Sequence, residues 1–181
     1  VHRPWLDFEQ SINRYRVQGK MFLERNKIIN SGDNGVVFMS MLGGEMGDEY
    51  KKRVNKKFAG GYGSLAIGIF NGGGYHALEK NRNKSLEGRL TLRPFHSLLP
   101  GLQVTCHGAT GKGNIPESPD WHYLSSYLSY EHPGLVLTGE LFRGDGNYIG
   151  SAVLDSESFS ALPQKGFSVF GELKIIQSRF S

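Results

Sequence analysis

Residues 85–94 read SLEGRLTLRP. Leu86, Gly88, Leu90 and Leu92 share one parity, and Glu87, Arg89, Thr91 and Arg93 share the other. A period of two is the mark of a β-strand, because successive side chains of a pleated chain point to opposite faces. The period does not say which face is inside. In a soluble protein the leucines form the core; in an outer-membrane barrel they face lipid and the charges face a wet lumen.

The pattern recurs along the chain. In 15–24 (YRVQGKMFLE), Arg16, Lys20 and Glu24 sit on the parity opposite Tyr15, Val17, Met21 and Leu23. In 101–109 (GLQVTCHGA), His107 opposes Leu102, Val104 and Cys106. In 135–142 (LVLTGELF), Glu140 opposes Leu135, Leu137 and Leu141, and in 166–175 (GFSVFGELKI), Glu172 and Lys174 oppose Phe167, Val169 and Leu173. Weaker versions occupy 35–42, 62–70 and 121–131. About eight strands result, with no capped stretch of helical period, so the chain reads as all-β. They are longer than the five or six residues usual in globular sheets and approach the roughly nine to eleven needed to cross a bilayer.

Composition narrows the classes. A chain of 181 residues is enough for a single domain, 1–181, or for part of a larger one. Its 21 Lys and Arg against 17 Asp and Glu give too small a positive excess to indicate a nucleic-acid partner. One cysteine, Cys106, excludes an internal disulfide, and its parity places it on the apolar face. No run approaches 18 apolar residues, which excludes a transmembrane helix but not a barrel, whose signal is spread over alternate residues. The chain begins with Val rather than Met, so the reading expects a processed N-terminus or a piece of a longer protein.

The connections 94–100 and 132–134 are short, and 110–120 and 143–166 are longer, as in barrels with tight turns on one side. The stretch 43–61 breaks this alternation. Tyr62, Phe70, Phe95, Trp121, Tyr130 and Phe142 lie near strand ends, as an interfacial girdle would.

The stretches PWLDFEQSINRYRVQGKMFLER (4–25), NSGDNGVVFM (30–39), YGSLAIGIFNGGGYHALEKNRNKSLEGRLTLRPF (62–95), LPGLQV (99–104) and LSYEHPGLVLTGELFRGDG (128–146) resemble bacterial outer-membrane porins of the phosphate-selective (O/P-type) superfamily. The resemblance implies an antiparallel transmembrane β-barrel of about sixteen strands, of which about eight are visible here. It also implies a homotrimer in the bacterial outer membrane, with the lipid bilayer and small hydrophilic solutes or anions as partners. On this reading Arg16, Lys20, Glu24, Glu87, Arg89, Arg93, His107, Glu140, Glu172 and Lys174 line the pore. Cationic loops 51–57 and 79–84 then attract anions at its mouth.

No cofactor or metal is implied. His76, His96, His107, His122 and His132 are dispersed without ligand spacing, and an enzyme is not expected, although Glu87 and Glu140 could pair across strands. One alternative is a soluble β-barrel or sandwich burying Leu86, Leu90, Leu92, Val104, Leu137 and Val169. Another is a small closed outer-membrane barrel without a pore. The pore reading predicts that Leu90→Arg harms insertion far more than Arg89→Leu.

Overall fold

The computed structural model describes residues 1–15 and 20–174. Seven antiparallel strands follow one another as neighbours in a single sheet: β1 (Gly35–Leu42), β2 (Gly63–Phe70), β3 (Ser85–Leu92), β4 (Leu102–Lys112), β5 (Asp120–His132), β6 (Leu135–Asp145) and β7 (Pro163–Leu173). Every step is a simple up-and-down connection, so short-range pairing alone assembles the sheet. β1 and β7 are its two open edges; the sheet is not closed into a barrel. The four later strands, of 11 to 13 residues, are longer than the three of 8 residues that precede them.

The stretch 85–94 becomes β3, and the register carries its two parities across the sheet. Arg89 pairs with Ala66 and His107, while Leu90 pairs with Leu65 and Cys106. The polar parity is the buried one. Glu87, Arg89, Thr91, Thr105, His107, Ser129 and Glu140 are all buried, whereas Leu86, Leu90, Leu92, Val104, Leu137 and Val169 are 41–79% exposed. Those last six are the residues a soluble sandwich would have to bury. Their exposure counts against that alternative, since each fully buried leucine or valine contributes about 1.5–3 kcal/mol in water.

The inner face is covered by the chain's own N-terminal segment. Helix α1 (Pro4–Ile12) lies against β2 and β3, and Trp5, Leu6, Phe8 and Ile12 join Met21, Leu23, Ile28 and Ile29 in one apolar cluster. From the sheet, Ala109, Trp121, Tyr123, Tyr127, Val136 and Phe142 complete it.

The class is all-β as expected; the helix corrects only the expectation that no stretch has helical period. Trp5, Phe8 and Ile12 recur at helical spacing, Pro4 sits in the first turn, and Asp7 favours the positive end of the helix. The preceding residue is Arg3, with no side-chain cap, so the usual start signal is missing. Two further short helices are α2 (Phe22–Arg25) and α3 (Asp48–Arg53). Among the described residues of 15–24, where a strand is expected, none is seen. Residues 16–19 lie outside the described residues, Lys20 is in a bend, and 22–25 coil into α2. Short apolar runs do not separate the two periods, and here Met21 and Leu23 are buried by the turn rather than by a pleat.

The connections 43–62, 93–101 and 133–134 share one end of the sheet; 71–84, 113–119 and 146–162 share the other. The long 43–62 connection holds α3. Connection 113–119 is no longer than 93–101, so the alternation of loop lengths is weaker than the sequence suggested. Loop 146–162 is organised by buried Asn147, whose Oδ1 accepts backbone N–H bonds from Gly150 and Ser151 at 2.9 Å and Ala152 at 3.2 Å. Asn147→Ala strands those donors and should cost about 1–3 kcal/mol. The expected result is faster proteolysis confined to 146–162, with strand content by circular dichroism unchanged.

Candidate functional site

Five of the ten expected pore-lining residues converge on the inner face: Glu87, Arg89 and Arg93 at and just beyond β3, His107 on β4 and Glu140 on β6. None is more than 3% exposed. They are packed beneath the N-terminal segment, among protein groups. The sequence showed their common face but could not show what covers it.

At one end of the cluster, the Arg3 guanidinium forks between two carboxylates. Its Nη2 lies 3.0 Å from Asp33 Oδ2 and its Nη1 lies 3.3 Å from Glu87 Oε2. Arg3 Nε donates to Asn30 Oδ1, and the backbone N–H of Trp5 donates to Glu87 Oε1 at 2.9 Å. Asp33 Oδ2 also accepts from the Gly72 N–H at 2.7 Å. The guanidinium stands over the Phe70 ring at 4.7 Å and the Trp121 ring at 5.5 Å. The network thus ties the N-terminus, the β1 entrance and β3 together, and burial is tolerated because the charges are paired.

Arg89 is held differently. Its Nη1 donates to Ser64 Oγ and Thr91 Oγ1, each at 2.8 Å, and Thr91 continues to Thr105 at 2.9 Å. The guanidinium stacks over Phe8 at 4.4 Å and Phe58 at 4.9 Å, so aromatic faces take the place of a carboxylate partner. Arg93 donates through Nε to the Gly60 carbonyl at 3.1 Å and through Nη1 to Tyr50 Oη at 3.0 Å. Burial raises the Tyr50 phenol above its ordinary pKa, although the Arg93 charge opposes the shift.

His107 stacks on Trp5 with ring centroids 3.5 Å apart and planes within 7°. Its Nε2 lies 3.3 Å from Glu140 Oε1, and Ser125 Oγ donates to that same oxygen at 2.9 Å. Serine and histidine therefore meet on one carboxylate. A hydrolytic triad needs the serine on the imidazole instead. Glu87 and Glu140, a conceivable acid pair, are each engaged with a different cation or imidazole.

The remaining expected residues are scattered. Arg16 lies outside the described residues. Lys20 is exposed in its bend, and Glu24 is half-buried on α2. Glu172 faces inward near the β7 end and is half-buried, as is Lys174 just beyond it. These two border a cavity of about 360 Å³ with Arg14, Lys52 and Lys56. Part of the neighbouring loop charge is already neutralised: Lys51 pairs with Glu45 and Asp48, Arg53 with Glu49, and Lys57 with Asp7.

Sequence reasoning missed Arg3, Trp5, Asn30 and Asp33, which no periodicity links to β3. It also missed Glu131, whose carboxylate accepts from Asn55 at 2.9 Å and Gln103 at 3.1 Å. Inward parity with Tyr127 and Ser129 was the available signal for Glu131. Of the six strand-end aromatics, Phe70, Trp121 and Phe142 are buried on the inner face and do not form a girdle. Tyr62 and Phe95 are exposed and Tyr130 half-buried on the outer parity, all at the end holding 43–62, 93–101 and 133–134. Among the described residues there is no group of three or more metal-ligating side chains, and no helix is long and apolar enough to cross a membrane. Comparison with protein-family models, curated proteins and solved structures yields no match.

Proposed function

We propose that this chain forms part of the wall of a porin-type β-barrel in the bacterial outer membrane. Trimeric assembly and passive diffusion of small hydrophilic solutes belong to the same proposal. The observation that supports it most is the inverted alternation: leucines and valines are exposed outward, and Glu87, Arg89, His107, Glu131 and Glu140 are buried on the inward parity of β3 to β6. Water does not select such an arrangement, because it exposes apolar area and buries ions. Hydrocarbon outside the sheet reverses both terms. Strands of 11 residues, tilted as barrel strands are, span an apolar band of about 25 Å.

Further strands paired to the β1 and β7 edges would close such a wall, since an open edge in lipid leaves backbone groups unpaired. The tight packing of 1–12 on the inner face favours a second reading, a barrel whose lumen is filled and does not conduct. Conductance in planar bilayers separates the two: discrete conducting steps support the pore, and an inserted but silent protein supports the filled barrel. If it conducts, the cations around Lys52, Lys56 and Lys174 should give a reversal potential of anion-preferring sign in a salt gradient. That preference should be modest, because the adjacent charges are paired.

Cys106 supplies an independent check, being the sole thiol and exposed on the outer face between Leu90 and Ser126. In vesicles it should resist a charged, membrane-impermeant maleimide and accept an apolar one. Equal labelling by both reagents would put the outer face in water and defeat the proposal.

A further inference from the structure

Charge on the outer face is confined to one end of the sheet. Among the described residues, the Lys and Arg on the outer parity of the seven strands are Lys112, Arg143 and Lys165. All three lie at the end that carries 71–84, 113–119 and 146–162. Lys112 is neutralised by Asp120 at 2.6 Å, and the next acid in the row, Asp145, is engaged by His122 at 3.0 Å.

Arg143 and Lys165 have no such partner among the described residues, although the register sets them directly opposite each other. Like charges in that relation destabilise a sheet unless something neutralises them. The apolar face begins beside them. Leu124 pairs with Arg143, and the next row inward is Ser126, Leu141 and Phe167, with Leu124, Leu141 and Phe167 47–72% exposed. A concavity of about 700 Å³ is lined by Leu124, Arg143 and Lys165 together with His122 and Asp145, whose carboxylate is turned to the His122 imidazole at 3.0 Å.

We propose that Arg143 and Lys165 bind the phosphate headgroup of a membrane lipid whose acyl chains lie along Leu124, Leu141 and Phe167. The inference rests on the membrane-wall reading above. The arginine fork matches two phosphate oxygens, the lysine adds a point charge, and both stems lie along apolar surface while their heads reach the headgroup layer. The opposed cations then stabilise the inserted protein through the anion they share. This places the headgroup layer at that end of the wall and the aromatic residues Tyr62 and Phe95 at the other.

The test is lipid uptake by the detergent-solubilised protein, read by native mass spectrometry with dioleoyl phosphatidic acid and dioleoyl phosphatidylcholine as probes. The expected result is about a tenfold preference for phosphatidic acid, from two cations near an anionic headgroup. It should be abolished in the Arg143→Gln/Lys165→Gln double variant and kept in Lys52→Gln/Lys56→Gln. Circular dichroism checks that each variant retains its strands. Equal uptake of both lipids by the unaltered protein overturns this site while leaving the membrane wall standing. Displacement of phosphatidic acid by inorganic phosphate at similar concentration overturns it in favour of a free-anion site. A protein that stays dispersed without detergent and takes up neither lipid removes the membrane-wall reading, and this site with it.

Discussion

Arg3→Met should lower the unfolding free energy by about 3–5 kcal/mol, the range for removing one partner of a buried ionic network. Arg3 is fully buried, and its guanidinium is the ion-pair partner of both Asp33 and Glu87, themselves no more than 1% exposed. Methionine fills much of the space but leaves two carboxylates facing each other out of water. Arg3→Lys should fall between, since one ammonium keeps the charge but not the fork that reaches Asp33 and Glu87 together. The measurement is the denaturant midpoint followed by near-ultraviolet circular dichroism, to which buried Trp5 and Trp121 contribute, in whichever solvent keeps the protein folded. Added salt should not rescue the variant, because buried pairs are screened little. A loss below about 1 kcal/mol, the range of an exposed ion pair, would mean that the N-terminal segment is not seated on β3 as described.

The strands were legible because their alternation persists. In 85–94, 101–109 and 135–142 the period of two holds over eight or more residues, and mid-strand polar side chains mark one parity. Those stretches become β3, β4 and β6 with ends shifted by a few residues. The parity of Glu87, Arg89, His107 and Glu140 was equally legible, and the register places them on one face. What covers them was not. The contacts of Arg3 with Glu87 and of Trp5 with His107 join residues 84 and 102 positions apart, and no local pattern encodes them. α1 was overlooked because Arg3 offers no capping side chain, and its apolar spacing runs for little more than two turns. In 21–24 the alternation was accidental, since the turn that opens α2 buries Met21 and Leu23 as well as a strand would.

The packing of the N-terminal segment on the inner face also changes what the polar parity implies. A lumen wall needs charges that water can reach; a packed interior needs charges that protein groups satisfy. Around Glu87 the second condition holds; at Arg89 and Glu140 it holds in part, since Arg89 Nη1 and Glu140 Oε1 are bonded while Arg89 Nε and Nη2 and Glu140 Oε2 have no hydrogen-bond partner among the described residues. The half-buried residues near Glu172 and Lys174 meet the first condition better. If the proposed barrel forms and conducts, solvent passage is therefore expected along β7 and its neighbours rather than over β3 and β4.

Leu90→Arg gives the sharpest separation between water and lipid outside the sheet. Leu90 lies on the outer face of β3, 41% exposed, between Leu65 and Cys106. In water an arginine there touches little and should change stability by no more than about 0.5 kcal/mol. In a bilayer the same charge faces hydrocarbon and should cost about 2–4 kcal/mol. Its neighbour supplies the comparison. Arg89→Leu loses the bonds to Ser64 and Thr91 and the stacking on Phe8 and Phe58, for about 1–3 kcal/mol, but leaves no buried charge unpaired. Because the covering segment is part of the chain, that cost applies in either solvent. The order of the two variants therefore depends on what surrounds the leucines: Leu90→Arg is the more damaging in lipid, and Arg89→Leu is the more damaging in water. Folding yields into vesicles beside folding yields in buffer read this order directly. If Leu90→Arg folds into vesicles as well as the unaltered protein while Arg89→Leu does not, hydrocarbon is not what the leucines face.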